Sequence, residues 1–141
     1  MGTVTIQLPP APAHVRTARL IAAAMARRAG VDEQLMDEIR LAVGEACARA
    51  VQVQMLEGVT TPITVELADD DGFTVVIADS AATAAPIGSA TQPGAADRWP
   101  AAEAAPIAGL AILTAVVDDV QVSAGRPRGT RVQVRWPVAR G

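Results

Sequence analysis

Lysine and tyrosine are absent from this chain, Phe73 is its one phenylalanine, and Trp99 and Trp136 are its two tryptophans. With aromatics at 2% and half the residues apolar, a core has to be assembled from Val, Ile, Leu and Ala. Cys47 stands alone, which excludes an intramolecular disulfide and any multi-cysteine metal site. Its place in an amphipathic pattern favours a small buried hydrophobe over a reactive thiol. Long hydrophobic runs are missing too. The least polar stretch, residues 20–26, is bounded by Arg19, Arg27 and Arg28, so no segment is expected to span a membrane. Residues 1–8 alternate and lack a basic start, so no signal peptide is expected and the cytoplasm is the expected location. Nor is there an excess of positive charge. Twelve arginines against fifteen acids give a net charge of −3, which leaves room for local basic patches but not for a DNA- or RNA-binding face.

The 141 residues suit one domain, 1–141, with one core. Thr3–Leu8 alternates as a half-buried strand and stops at Pro9 and Pro10. A helix is expected from Pro12 to about Ala29, with Val15, Leu20, Ile21, Ala24 and Met25 on one side and Gly30 as its stop. Asp32 is placed to cap a second helix, whose buried stripe would be Leu35, Ile39, Ala42, Ala46, Ala50 and Val53 and whose end is Gly58. Pro62–Ala68 and Phe73–Asp79 have strand patterns, joined by Asp69–Gly72 with the Asp-Gly signal of a hairpin. From Ala81 to Ala108 twelve of twenty-eight residues are Ala, punctuated by four prolines, a composition suited to a lid or an insertion. Gly109–Val117 is a short apolar helix, Val120–Ser123 a strand, Arg126–Gly129 a turn, and Thr130–Trp136 the last strand. This order predicts an α+β fold, a two-layer sandwich of a mostly antiparallel sheet with helices on one face.

The most informative segment is Asp37–Val51, DEIRLAVGEACARAV. Val75–Asp79 (VVIAD) follows the hairpin, then Gly109–Leu113 (GLAIL) with Val117–Val120 (VDDV), and finally Gly129–Val132 (GTRV). In this order the four motifs resemble those of the anti-sigma factor serine kinases. That family is a branch of the GHKL ATPase superfamily, which includes gyrase B and the histidine kinases and shares the Bergerat fold. The resemblance runs over nearly the whole chain, each motif weak alone and the four together specific for the fold. It implies that Glu45 acts as general base toward a substrate serine hydroxyl, within hydrogen-bond reach of it. It implies that Asp79 accepts the exocyclic amine of adenine, a role suited to an acceptor-only carboxylate. Gly109 and Thr130 fall at positions that contact the cofactor, ATP or ADP.

The departures from the family pattern concern the phosphates and the metal. Where the family has an Asn that ligates Mg²⁺, four residues after the Glu, this chain has Arg49, and a guanidinium offers no oxygen. Ala81 and Thr83 replace two glycines of the box after Asp79, Ile107 stands where a lid glycine is expected, and 81–108 reads as a degenerate ATP lid. Mg²⁺ is therefore doubtful. Arg49 is a candidate to neutralise phosphate in place of a metal, since its planar fork binds phosphate bidentately.

Plainer readings exist for the same residues. Glu45 and Arg49 have the i,i+4 spacing of a helix-surface ion pair, and Asp79 can simply end a strand. His14 is expected to be exposed, without a catalytic role. Arg16, Arg19, Arg27 and Arg28 form a solvated helix face or, by resemblance, part of a partner-docking surface. Function by resemblance is partner switching: the domain, a homodimer by family analogy, binds an RNA polymerase sigma factor and a STAS-domain anti-anti-sigma factor. The losses around the phosphates favour a holding module with weakened or lost kinase activity. An active serine kinase that phosphorylates the antagonist is the alternative, and a nucleotide sensor without turnover a third reading.

Overall fold

A computed structural model of the chain describes residues 2–81, 113–115, 117–125 and 128–138. The first strand, β1 (Thr3–Leu8), leads through the prolines into helix α1 (Ala13–Ala29). Helix α2 (Met36–Glu57), strands β2 (Ile63–Ala68) and β3 (Phe73–Ala78), and strands β4 (Val120–Ala124) and β5 (Thr130–Trp136) follow. Gly30 and Gly58 end the two helices at φ 96° and 67°, the left-handed geometry that glycine adopts without penalty. Asp32 accepts the Gln34 N–H at 2.9 Å. It caps a 3-10 turn (Glu33–Leu35) and not α2 itself, which starts one residue after that turn. Arg27 donates across this corner to Glu33 at 3.0 Å. That hydrogen bond holds the Glu33 carboxyl below its ordinary pKa and raises that of Arg27.

The five strands form one sheet in the order β1-β2-β3-β5-β4, every neighbouring pair antiparallel. Its register aligns Val65 with Ile77, Ile77 with Val132, Val75 with Val134, and Phe73 with Trp136. A period of two sends these residues to the same face, where all of them are buried and form the core with α1 and α2. Thr64, Glu66, Thr74 and Gln133 on the opposite face are half-buried. This is the α+β two-layer sandwich that the element order predicts. Residues 113–115 are helical, and the Val117 N–H reaches the Leu113 carbonyl at 2.9 Å. Residues 82–112, which contain the lid segment after Ala81 together with Ile107 and Gly109, lie outside the described residues.

Helix α1 does not bury the side expected from its sequence. Its fully buried positions are Ala18, Ala22 and Ala26, whereas Leu20 is 59% exposed. Ala24 is exposed, and Val15, Ile21 and Met25 are half-buried. The physical reason is proximity: methyl-sized side chains at i, i+4 and i+8 let α1 and α2 approach closely, and bulkier residues are left at the rim. The contact is tight on the other side as well, since a Cβ on Gly44 would come within 3.0 Å of the Arg19 side chain. Ala22→Leu is therefore expected to destabilise the fold by about 1–3 kcal/mol through overpacking. Leu20→Ser should stay within about 0.5 kcal/mol of the parent. Urea-unfolding midpoints check both, and equal midpoints for parent and Ala22→Leu would contradict the packing described.

Candidate functional site at the end of α2 and β3

Residues 49–54 of α2 are buried without interruption. Three of these six, Arg49, Gln52 and Gln54, are polar, and a buried polar group is costly unless it finds a partner inside. Arg49 Nη1 donates to Asp79 Oδ2 at 2.7 Å, and Nη2 donates to Thr130 Oγ1 at 3.3 Å. Both charged side chains are 1% exposed. The other carboxylate oxygen, Asp79 Oδ1, accepts the Ala81 N–H at 3.0 Å and the Thr130 N–H at 3.3 Å. Asp79 in turn donates its own N–H to the Thr130 carbonyl at 3.1 Å. The end of β3 and the start of β5 are thus bonded to each other and to α2 through one carboxylate.

Two neighbouring residues define the shape of this junction. Gly129 sits at φ 94° with its α-carbon against the Asp79 backbone, and a Cβ there would collide with the Asp79 carbonyl. Gln54 spans the next gap: its Nε2 donates to the Thr61 carbonyl at 2.7 Å and its Oε1 accepts the Ser80 N–H at 2.8 Å. Among the described residues, Arg49 Nε and Gln52 Oε1 have no hydrogen-bond partner.

The structure brings together three of the five candidate site residues, Arg49, Asp79 and Thr130. Glu45 lies one helical turn before Arg49, half-buried, and Gly109 is outside the described residues. The i,i+4 pairing of Arg49 with Glu45 is not what forms, because the guanidinium turns to Asp79, thirty positions away. The same geometry bears on Arg49 as a phosphate ligand: both of its Nη groups are already engaged within the chain. The residues present do not fit Mg²⁺ at this position, since Arg49 brings a donor fork and no oxygen. A sequence signal for the pair does exist. A lone arginine inside the run ACARAVQV requires a buried anion, and Asp79 ends a strand with too many apolar neighbours to be solvated. Gln54 carries no comparable signal.

Cys47 is buried, and burial pushes its thiol up to about 12, as fits a small core residue. His14 is half-buried, not exposed as expected from its place near a helix start. A cavity of about 470 Å³ opens at the other end of the sheet, over Trp136, whose indole N–H donates to Glu38 at 2.7 Å. It is remote from Asp79, because α2 and β3 run their full lengths between the two ends. Among the described residues no helix is long and apolar enough to cross a membrane, and no cluster of three or more His, Cys, Asp or Glu side chains is placed to hold a metal.

A helical layer over a five-stranded antiparallel sheet, with a strand-terminal aspartate facing the long helix, has the layout of an ATPase-type sandwich. A family model described as the histidine kinase-like ATPase domain matches residues 8–136, and the chain belongs to that family. The family is one of ATPase domains, which directs attention to a nucleotide site. Twelve solved chains match this one. One is the structure of the RsbU and RsbW domains of Rv1364c from Mycobacterium tuberculosis, similar with a TM-score of 0.66 at 20% identity. The match covers 100% of this chain and 34% of that one, so this chain spans about a third of its length. At that identity the likeness is one of fold. No curated protein matches.

Removing one member of a buried pair strands the other charge and costs about 3–5 kcal/mol, whereas replacing both with apolar groups is often near neutral. Arg49→Met is accordingly expected to lose about that much stability, and Arg49→Met combined with Asp79→Asn to recover part of it, because the amide oxygen still accepts the Ala81 and Thr130 N–H groups without leaving a buried charge. Chemical denaturation of the two variants tests this, and additive losses would contradict it. Cys47 should resist alkylation by iodoacetamide in the folded protein at about pH 8 and react readily in denaturant; mass spectrometry reads the difference.

Proposed function

We propose that this domain is a regulatory binding module of a partner-switching system, which holds an RNA polymerase sigma factor, a STAS-domain anti-anti-sigma factor, or each in turn. The reading is supported by the family and by the motif resemblance to serine-kinase anti-sigma factors. The observation that carries it is Arg49. A phosphotransferase of this family would need an oxygen ligand for Mg²⁺ at that position to neutralise the charge on the transferred group, and the position instead holds a guanidinium buried against Asp79. Holding a partner needs surfaces and not a phosphate site.

A surface of the right kind is present on α1. Arg16, Arg19 and Leu20 line a groove of about 380 Å³ with Val15 and with Arg40 from α2, and Leu41 beside it is 39% exposed. Asp37 offsets one of these charges, pairing with Arg40 at 3.0 Å. On a chain whose net charge is −3, a basic rim around an exposed leucine suits a partner segment with acidic and apolar side chains. The competing reading, an active serine kinase, keeps Glu45 as general base, half-buried one turn before Arg49.

Co-purification and calorimetry with sigma factors and STAS-domain proteins of the same organism are expected to yield a stable complex with at least one of them. Leu20→Glu is expected to weaken that complex at least about tenfold, the loss of 1.4 kcal/mol or more that a central interface residue causes. Its fold should be intact, because Leu20 is on the surface. Rapid transfer of γ-phosphate to a partner serine, abolished by Glu45→Ala, would reverse the order of the two readings.

A further inference from the structure

We infer that Arg49 is a built-in ligand: its guanidinium fills the donor position over Asp79 that the motif resemblance assigns to adenine, so this domain keeps its fold and its partner surface without an adenine nucleotide. The inference deepens the proposed function, on whose family assignment it rests, and it concerns a different measurement.

An adenine amine can bond to Asp79 only by touching it, and the Asp79 side chain is 1% exposed. Its Oδ2 is covered by Arg49 Nη1 at 2.7 Å, and its Oδ1 by the backbone N–H groups of Ala81 and Thr130. A carboxylate accepts through a limited number of lone-pair sites, and three are taken by donors of the chain itself. To reach Asp79, a ligand would have to displace Arg49. That would part a buried guanidinium from its anion, with Thr130 Oγ1 left as its hydrogen-bond partner among the described residues. Nothing that a neutral amine offers matches the charge lost from such a site.

The walls point the same way. The family pattern needs a glycine two positions after the aspartate so that backbone can approach the nucleotide, and here Ala81 is fully buried, its methyl packed inside. Gln54 fixes Ser80, the residue between them, by accepting its N–H at 2.8 Å. The loop after β3 is held inward from both sides. Buried ion pairs are poor stabilisers compared with apolar packing, and Arg49 Nε is left without a partner among the described residues. What the arginine supplies here is neutralisation of a carboxylate that the fold keeps in a dry place.

ADP and ATP, each with and without Mg²⁺, are titrated into the full chain and followed by calorimetry and by the melting temperature. The expected result is no saturable heat and no shift in melting temperature up to about 1 mM nucleotide, the weak limit of useful affinity. Saturable ADP or ATP binding that Asp79→Asn abolishes would overturn the inference. Arg49→Gly is the complementary variant, leaving a hole the shape of a guanidinium over Asp79. Methylguanidine is expected to raise its melting temperature saturably while leaving the parent unmoved, as a ligand bound only by the folded state does. If the variant does not fold, the parent titration decides alone. If it folds and methylguanidine leaves it unmoved, Arg49 is not acting as a ligand. Partner capture is scored separately. A parent that binds nucleotide but still holds its partner refutes this inference and spares the proposed function, and a parent that binds neither does the reverse.

Discussion

The contact between Arg49 and Asp79 ties together three elements that are far apart in sequence. Arg49 lies on α2, Asp79 follows β3, and Thr130 opens β5, and the guanidinium and the carboxylate between them bond to all three. In water such a pair is worth little, because solvent screens it and side-chain entropy opposes it. At 1% exposure solvent no longer screens the pair, and each charge makes the other tolerable. The last turns of α2 can be sunk into the domain only because the arginine there has an anion to meet. The strand end can carry a buried aspartate only because α2 delivers a cation. Apolar residues on its core side hold the long helix on the sheet, and this reciprocity adds a specific contact at one end.

Much of the fold was legible because it rests on short-range chemistry. Alternation in Thr3–Leu8, Phe73–Ala78 and Thr130–Trp136 signals strands, Gly30 and Gly58 mark helix ends, and Asp71-Gly72 marks the hairpin. All are local rules that tertiary structure seldom overrides. Helix α1 was misjudged for the opposite reason. Its wheel weights bulk, so Leu20, Ile21 and Met25 attract attention, while the choice of buried side depends on how near the neighbouring helix comes. The alanines at 18, 22 and 26 permit that approach, and no property of α1 considered alone says so.

The candidate site divides along the same line. Motif position points to Glu45, Arg49, Asp79 and Thr130 and marks Arg49 as out of place. It does not say where the guanidinium goes, because Glu45 is the nearest carboxylate in sequence, whereas Asp79 is the one the guanidinium meets in space. The spacing rule describes exposed helix faces, and the face at Arg49 is not exposed. Six consecutive buried residues, three of them polar, are not the signature of an amphipathic surface helix. They show α2 enclosed at this end, where the partner of a charge has to come from another element. Gln54, which bonds to residues on both sides of the sheet's end, was invisible for the same reason.

The two ends of the domain therefore have different freedoms. At the Trp136 end, a cavity stays open between α2 and the sheet, flanked by Glu38, Asp71 and Asp119. At the Asp79 end, where the motif resemblance places a nucleotide, Arg49 and Gln54 of α2 bond to Asp79 and Ser80. A ligand pocket requires unsatisfied groups that water can serve until the ligand arrives. When the chain's own side chains satisfy those groups permanently, the same residues change from recognition to support. The outer surface on α1 then rests on a helix pair tied to the sheet through Arg49, Asp79 and Thr130. In the proposed role of holding a partner, such a junction would leave the binding face of α1 standing without a small molecule.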